Sequence, residues 1–231
     1  MPGKIAALVG DNGAGKSTLI KTIAGIWSPS AGELLWEGRP VTIRSPREAD
    51  NLGIATVYQD LALCDNLDIV QNMFLGHEVL SRRLLDETKM EKKAKETLSD
   101  LAVTTVSSVR QLVGSLSGGQ RQSVAVARAV MREARLVIMD EPTAALGVSQ
   151  TAQVLDLIRR LGDRGIAVLL ISHNLTDVFS VADSLAVLYL GKLVSSGSIS
   201  DYDTQKAVEI ITTGASGGPA SQGRERTLPA D

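Results

Sequence analysis

The sequence predicts an α/β fold with a mainly parallel central sheet and helices on both of its faces. Four short apolar runs, ending near residues 9, 58, 139 and 171, alternate along the chain with stretches of helical periodicity. Such alternation favours parallel strands, because each parallel connection needs a crossover that is usually a helix. The run at 136–139 contains only apolar residues, which is typical of a strand covered on both faces.

The first apolar run, residues 5–9, leads into the loop Gly10–Thr18, which reads GDNGAGKST and precedes a helical pattern. A GxxxxGK[ST] loop between a strand and a helix lets backbone N–H groups approach a polyphosphate. Lys16 is expected to neutralise the β- and γ-phosphates, and the Ser17 hydroxyl is expected to bind Mg²⁺. We therefore predict a nucleoside triphosphate site formed by Gly10, Asn12, Gly13, Ala14, Gly15, Lys16, Ser17 and Thr18.

The region that follows combines a surface hairpin, a strand and a helical segment. Residues 31–41 alternate in polarity and turn at Gly38, which predicts the hairpin. Residues 54–58 predict a strand that ends at Gln59. The pattern is helical from residue 69 onward, and we interpret residues 69–116 as a helical subdomain inserted into the domain.

Inside this helical segment, Asp86 is the expected N-cap of an amphipathic helix. Its polar face carries Glu91 and Lys95, whose spacing allows an ion pair. We expect this face to be the solvated exterior of a helix rather than a cofactor groove.

The second half of the chain begins with another small-residue loop, LSGGQ at Leu116–Gln120. The helix after it is apolar on nearly every side and should be buried. The apolar strand at 136–139 then runs directly into Asp140 and Glu141. The remaining predicted elements are a helix at 149–161, a strand at 166–171 that leads to His173, a helix capped by Asn174 and a strand at 185–190.

The carboxyl ends of parallel strands meet at one edge of a sheet, and ligands of such folds bind there. In this sequence those ends carry the glycine loop, Gln59, Asp140, Glu141 and His173. Phosphoryl transfer needs positioning and charge neutralisation more than covalent help. Asp140 would hold Mg²⁺ together with Ser17, and Glu141 would polarise the attacking water. His173 would bond the γ-phosphate, and Gln59 would reach both metal and water.

Composition limits the class of protein. With 231 residues, 44% of them hydrophobic, the chain suits one domain with a sizeable core, which we place at residues 1–213. The net charge of −2 provides no field that would gather nucleic acid. The single cysteine, Cys64, excludes an internal disulfide and fits a reducing compartment. Neither a spanning apolar run nor a signal peptide is expected, and residues 214–231 have the composition of a disordered tail.

The glycine loop, Gln59, the LSGGQ element, the strand ending at Glu141 and His173 together resemble the ATP-binding subunit of an ABC transporter. The LSGGQ element is highly specific, because generic phosphate-binding loops lack it. The resemblance implies a P-loop NTPase core that hydrolyses ATP with Mg²⁺. It also implies a head-to-tail dimer, in which the nucleotide of one subunit meets Ser117, Gly118, Gly119 and Gln120 of the other.

A narrower similarity is to the ATPases of bacterial monosaccharide importers of the ribose, xylose and fructose type. It is carried by GDNGA at 10–14, QRQSVAVAR at 120–128, EPTAALG at 141–147 and SHNL at 172–175. This similarity implies a homodimer on the cytoplasmic face of the membrane, beneath permease subunits and served indirectly by a solute-binding protein. Residues 61–72 would form part of the dock for a permease helix.

Two departures from the family pattern predict altered behaviour. Gly147 stands where the family usually has an aspartate, which removes a carboxylate expected to act across the dimer. The family also places strands and an adenine-stacking aromatic residue before the glycine loop, whereas nine residues precede Gly10 here. Because such stacking is worth roughly 1–3 kcal/mol, we expect reduced affinity for ATP.

The alternative is an ABC-type ATPase, soluble or regulatory, that is not tied to transport. Chromosome-type members need a long coiled coil between Gly15 and Ser117, and the sequence has no sustained heptads there. Glu141 and His173 argue against a module that no longer hydrolyses ATP, whereas Gly147 keeps that possibility open.

Overall fold

A computed structural model describes residues 2–215. Within this range the chain forms ten strands and eight α-helices. The strands are β1 Ile5–Val9, β2 Leu34–Trp36, β3 Arg39–Val41, β4 Ile54–Val57, β5 Leu80–Ser81, β6 Leu84–Leu85, β7 Leu136–Asp140, β8 Ala167–Ile171, β9 Ser184–Tyr189 and β10 Lys192–Ser198. The helices are α1 Lys16–Ile23, α2 Pro46–Asn51, α3 Ile69–Phe74, α4 Glu87–Asp100, α5 Gly118–Met131, α6 Val148–Asp163, α7 Leu175–Val181 and α8 Thr204–Thr213. All but the first two residues of the predicted tail lie outside the described residues.

Six of the strands form one sheet in the order β10-β9-β1-β8-β7-β4. The five strands from β9 to β4 are parallel, and β10 pairs with β9 in the antiparallel sense. Strand β7 lies between β8 and β4, so that both of its backbone edges are paired within the sheet. The predicted mainly parallel α/β sheet is confirmed.

Successive side chains along the central strands point to opposite faces of the sheet and pack into two separate hydrophobic cores. In β7, Val137 and Met139 pack on one face of the sheet with the apolar sides of α3 to α8. Ile138 points to the opposite face, where it packs with Ile20 of α1 and Ala49 of α2. Helices therefore cover both faces, and the carboxyl edge of the sheet is left for the loops.

Local signals in the sequence set several helix ends. Asp86 caps α4 by accepting a hydrogen bond from the Lys89 N–H at 3.1 Å. Asn174 caps α7 in the same way through the N–H of Thr176 at 3.1 Å. Both predicted caps are confirmed, as is the Glu91–Lys95 ion pair at 2.7 Å.

The segment 69–116 contains α3, the short exposed hairpin β5–β6, α4 and a single 3₁₀ turn at Val113–Ser115. Helices α3 and α4 pack against α5, which is buried along most of its length as its sequence predicts. The boundaries of a separate subdomain remain a prediction. Among residues 2–215, none of the helices combines the length and the hydropathy that crossing a bilayer requires.

Candidate active site

The glycine loop lies between β1 and α1 at the carboxyl edge of the sheet. Lys16 is the first residue of α1, and its Nζ donates hydrogen bonds to the carbonyl oxygens of Gly10 at 2.7 Å and Asp11 at 3.0 Å. A Cβ on Gly10 would lie 2.4 Å from the carbonyl oxygen of Leu188 in β9. Glycine is therefore required at position 10, because the loop passes directly against the backbone of a neighbouring strand.

The turn between β9 and β10 also holds this loop. The Gly191 N–H donates to the Ala14 carbonyl oxygen at 3.0 Å. The sequence pattern placed a turn at Gly191 but gave no sign of this contact, because nothing local in a turn identifies its distant partner.

A cavity of 290 Å³ opens between the glycine loop and the ends of β4 and β7. Ten of the residues predicted for the site line it: Asn12, Gly13, Ala14, Gly15, Lys16, Ser17, Thr18, Gln59, Asp140 and Glu141. The cavity therefore brings together side chains that are more than one hundred residues apart in the sequence. Gly10 supports the loop from behind, and His173 lies at the rim, in contact with Glu141.

Asp140 is the last residue of β7, and its carboxyl group is partly buried. Burial, followed by the neighbouring charge of Glu141, raises the pKa of the Asp140 carboxyl, whereas Lys16 and Lys21 act in the opposite direction. The Asp140 carboxylate, the Ser17 hydroxyl and the Gln59 amide oxygen are ligands that a hard divalent cation prefers. A cation bound there would offset the crowding of negative charge, so the residues present fit the magnesium ion of a nucleotide complex.

Glu141 adopts a left-handed backbone conformation with φ of 50°. Its N–H donates to the carbonyl oxygen of Ile171 in β8 at 2.9 Å. Its carboxylate is 16% exposed and lies 2.8 Å from the Nδ1 atom of His173, whose imidazole is 73% exposed. The carboxylate is thus oriented by the end of the adjacent strand and faces the cavity beside the phosphate-binding loop.

The LSGGQ element lies at the start of α5 and is not part of this cavity. Ser117 and Gln120 form a capping box, in which the Ser117 Oγ accepts the Gln120 N–H at 3.4 Å and the Gln120 Oε1 accepts the Ser117 N–H at 2.9 Å. Ser117 and Gly118 are exposed, and Gly119 is buried against Gln150. This end of α5 therefore presents an open helix N-terminus, which favours an anion.

Gly147 is the N-cap residue of α6 and makes no side-chain cap. A Cβ built on Gly147 meets no atom within 4 Å, and its φ is −72°. The backbone therefore accepts a larger residue at this position without strain.

Residues 1–144 match the family profile described as "ABC transporter". The chain belongs to the ABC transporter family. The resemblance predicted from the sequence motifs is thereby confirmed, and it is supported by relatives that extend over nearly the whole chain.

Two curated members of the ABC transporter family match most of the chain and most of their own length. A fructose import ATP-binding protein of Rhizobium meliloti is 48% identical over 91% of this chain and 84% of its own length. A xylose/arabinose import ATP-binding protein of Sulfolobus acidocaldarius is 45% identical over 93% of this chain and 85% of its own. A ribose import ATP-binding protein of Yersinia pestis is 38% identical over 98% of this chain, which spans 44% of that relative.

Solved structures of the ABC transporter family have the same fold. An ATP-binding cassette of an ABC transporter in its ADP conformation gives a TM-score of 0.76 at 25% identity, over 92% of this chain and 85% of the other. A nucleotide-free cassette gives a TM-score of 0.76 at 26% identity, over 91% of this chain and 88% of the other.

Proposed function

We infer that the chain is the ATP-hydrolysing subunit of an ABC importer for a sugar. The observation that carries this proposal is the cavity in which the glycine loop, Gln59, Asp140 and Glu141 meet. A sugar as the cargo is supported by the names of the fructose, xylose/arabinose and ribose import relatives. The same names favour import over an ABC-type ATPase unconnected with transport.

The triphosphate of ATP would lie in the glycine loop, where the N–H groups at the start of α1 point at its oxygens. The Lys16 ammonium, now bonded to the Gly10 and Asp11 carbonyl oxygens, lies within the loop and would contact the β- and γ-phosphates. A bound Mg²⁺, held by Ser17, Gln59 and Asp140, would neutralise phosphate charge.

Glu141 would accept a hydrogen bond from the attacking water and draw its proton as attack proceeds. His173 already contacts the Glu141 carboxylate through Nδ1, which leaves Nε2 to face the γ-phosphate. An imidazole that donates from both nitrogens is an imidazolium, so His173 would carry a positive charge when it bonds both groups. The pair would thus align the water and offset the charge of the transferred phosphoryl group.

The exposed start of α5 supports a head-to-tail dimer of two copies. The Ser117 Oγ uses a lone pair for the Gln120 N–H, so its hydroxyl hydrogen is available for a phosphate oxygen of the other copy's ATP. ATP would then join two subunits at the cytoplasmic face of the membrane, under permease subunits that contact residues 61–72. A solute-binding protein would deliver the sugar to those permeases.

The test is Glu141→Gln, which keeps the size of the side chain and an oxygen that accepts the bond from His173. Turnover of ATP should fall by about 10²–10⁴-fold, the contribution of a general base. Gel filtration with ATP should show a dimer that the parent protein does not accumulate. Glu209→Gln, an exposed change on α8, is the control and should leave both measurements unchanged.

The transport assignment is tested by co-purification with candidate permeases, followed by ATPase assays with sugar-loaded binding protein. Stimulation by a loaded binding protein is the expected result. Hydrolysis that no permease alters, together with no association with membranes, would instead favour an ATPase unconnected with transport.

A further inference from the structure

Helix α5 is fastened to the chain segment that follows Gln59. The guanidinium of Arg128 donates to the carbonyl oxygens of Leu61 and Ala62, both at 3.1 Å. Near the start of the same helix, Arg121 reaches the Asp65 carboxylate at 2.5 Å. The turn after Gln59 is thus anchored by a helix rather than only by the strand from which it emerges.

The anchored turn has an unfavourable backbone conformation. Ala62 has a φ of 47°, in the left-handed region that a residue with a Cβ rarely adopts. Of the two carbonyl groups that Arg128 contacts, one belongs to the peptide bond before the Ala62 Cα and the other to the peptide bond after it. The planar fork of a guanidinium can bond both at once, which fixes the peptide groups before and after Ala62 in their orientations.

The position of Arg128 is costly unless these bonds are made. Its side chain is half-buried, and burial, followed by the like charge of Arg132, lowers the pKa of its guanidinium. A partly desolvated cation needs hydrogen-bond acceptors, and the Leu61 and Ala62 carbonyl oxygens supply them. The strained turn and the half-buried cation therefore stabilise each other.

We propose that Arg128 is a positioning residue for Gln59. By holding Ala62 in the left-handed conformation, it keeps Gln59 at the wall of the cavity that Ser17 and Asp140 also line. This inference rests on the proposed function, in which the Gln59 side chain contacts the metal ion and the water. Arg128 itself lines no part of that cavity and contacts no reacting group.

The first test measures the turn itself in the nucleotide-free protein. Arg128→Gln should raise hydrogen–deuterium exchange of the amides in residues 59–63 by about tenfold, the value of one hydrogen bond to a charged group. Arg159→Gln is the matched control, because the guanidinium of Arg159 likewise donates to a backbone carbonyl oxygen, that of Ser180 at 2.9 Å, but lies away from the turn. The control should leave exchange in residues 59–63 unchanged.

The second test measures Mg²⁺. In Arg128→Gln, the Mg²⁺ concentration that half-saturates tight nucleotide binding should rise by about tenfold. Binding of ATP in the presence of EDTA should not change, because Arg128 does not contact the glycine loop. A general loss of stability would weaken nucleotide binding both with Mg²⁺ and in EDTA. A positioning role predicts that only the Mg²⁺-dependent binding changes.

The rescue is Ala62→Gly in the Arg128→Gln background, because glycine adopts the left-handed conformation without the cost of a Cβ. Exchange and Mg²⁺ dependence should return most of the way to those of the parent. If Arg128→Gln does not fold, Arg128→Lys and its Ala62→Gly partner carry the test, since lysine keeps the charge but loses the fork.

Exchange and Mg²⁺ dependence that stay at the parent values in both Arg128 variants would overturn the inference. The inference would also fail if Arg159→Gln changed exchange in residues 59–63 as much as Arg128→Gln does. It would fail as well if Ala62→Gly did not reverse the effects of Arg128→Gln. A parent protein that binds no Mg·ATP would refute the proposed function, whereas the exchange measurement would still decide whether Arg128 holds the turn.

Discussion

Replacement of Gly10 by alanine tests whether the close approach of the glycine loop to β9 sets the geometry of the site. The new Cβ would lie 2.4 Å from the Leu188 carbonyl oxygen and 3.0 Å from the Ala14 Cβ. A carbon atom ordinarily approaches a carbonyl oxygen no closer than about 3.3 Å, so the loop must move by about 0.9 Å. The carbonyl belongs to β9, where Leu188 is paired with Leu193 of β10, and cannot rotate away.

Two effects of Gly10→Ala follow from this displacement. Overpacking should lower the free energy of unfolding by about 1–3 kcal/mol, which corresponds to a fall in Tm of roughly 5 °C for a domain of this size. A shift of nearly 1 Å in a catalytic loop should reduce kcat/KM for ATP by about 10²-fold. Thermal denaturation and a coupled ATPase assay measure the two effects.

Gly32→Ala is the control for Gly10→Ala. Gly32 has a φ of +82°, and a Cβ there meets no atom within 4 Å. The variant should lose about 1–2 kcal/mol of stability through its backbone conformation alone and should keep full activity. A Gly10→Ala protein that melts and hydrolyses ATP like the parent would show that the contact with Leu188 does not constrain the loop.

Three further predictions concern His173, Asp140 and the α6 N-cap residue Gly147. His173→Ala should reduce ATP turnover by roughly tenfold to a hundredfold, less than the loss expected for Glu141. ATP binding, measured by equilibrium dialysis, should weaken by much less than turnover, and an equal loss in both would contradict the assigned role. Because the pKa of Asp140 is raised in the folded protein, its charged form opposes folding and stability falls as pH rises above the unfolded value. At pH 7, Asp140→Asn should therefore have a higher Tm than the nucleotide-free parent, and the difference in Tm should shrink toward pH 4. A difference in Tm that grows toward pH 4 would contradict this prediction. Gly147→Asp should stabilise α6 by a few tenths of a kcal/mol in urea denaturation, since the N-cap position has open space; a destabilised variant would show that the site is more crowded than described.

Much of the fold could be predicted because its signals are local. Apolar runs identified the strands of the parallel part of the sheet within one or two residues, and Gly38 marked the β2–β3 turn. Strand β4 ends at Val57, one residue earlier than predicted. Helix α2 was missed because six residues are too few to show periodicity, although Ser45 before Pro46 and Glu48 is a helix-start signal.

The candidate site could be assembled from the sequence because parallel strands deliver their carboxyl ends to one edge. What the sequence did not reveal are contacts between distant backbone groups. The Gly191 N–H bond to Ala14 and the Arg128 bonds to the turn after Gln59 both depend on which surfaces meet in three dimensions. Every residue has a backbone carbonyl oxygen, so the sequence does not indicate which of them accepts a hydrogen bond from a given guanidinium.

The pairing of β7 with β8 fixes the relative placement of Glu141 and His173, since Asp140 is aligned with Ile171 and each functional residue follows its strand by one or two positions. The hydrogen bonds between β7 and β8 thus bring the two side chains together, and their placement does not depend on the conformation of a long loop. A slip of one residue between these strands would turn their apolar side chains to the wrong faces. The alignment of the acid with its histidine is therefore protected by the same hydrophobic packing that keeps the domain folded.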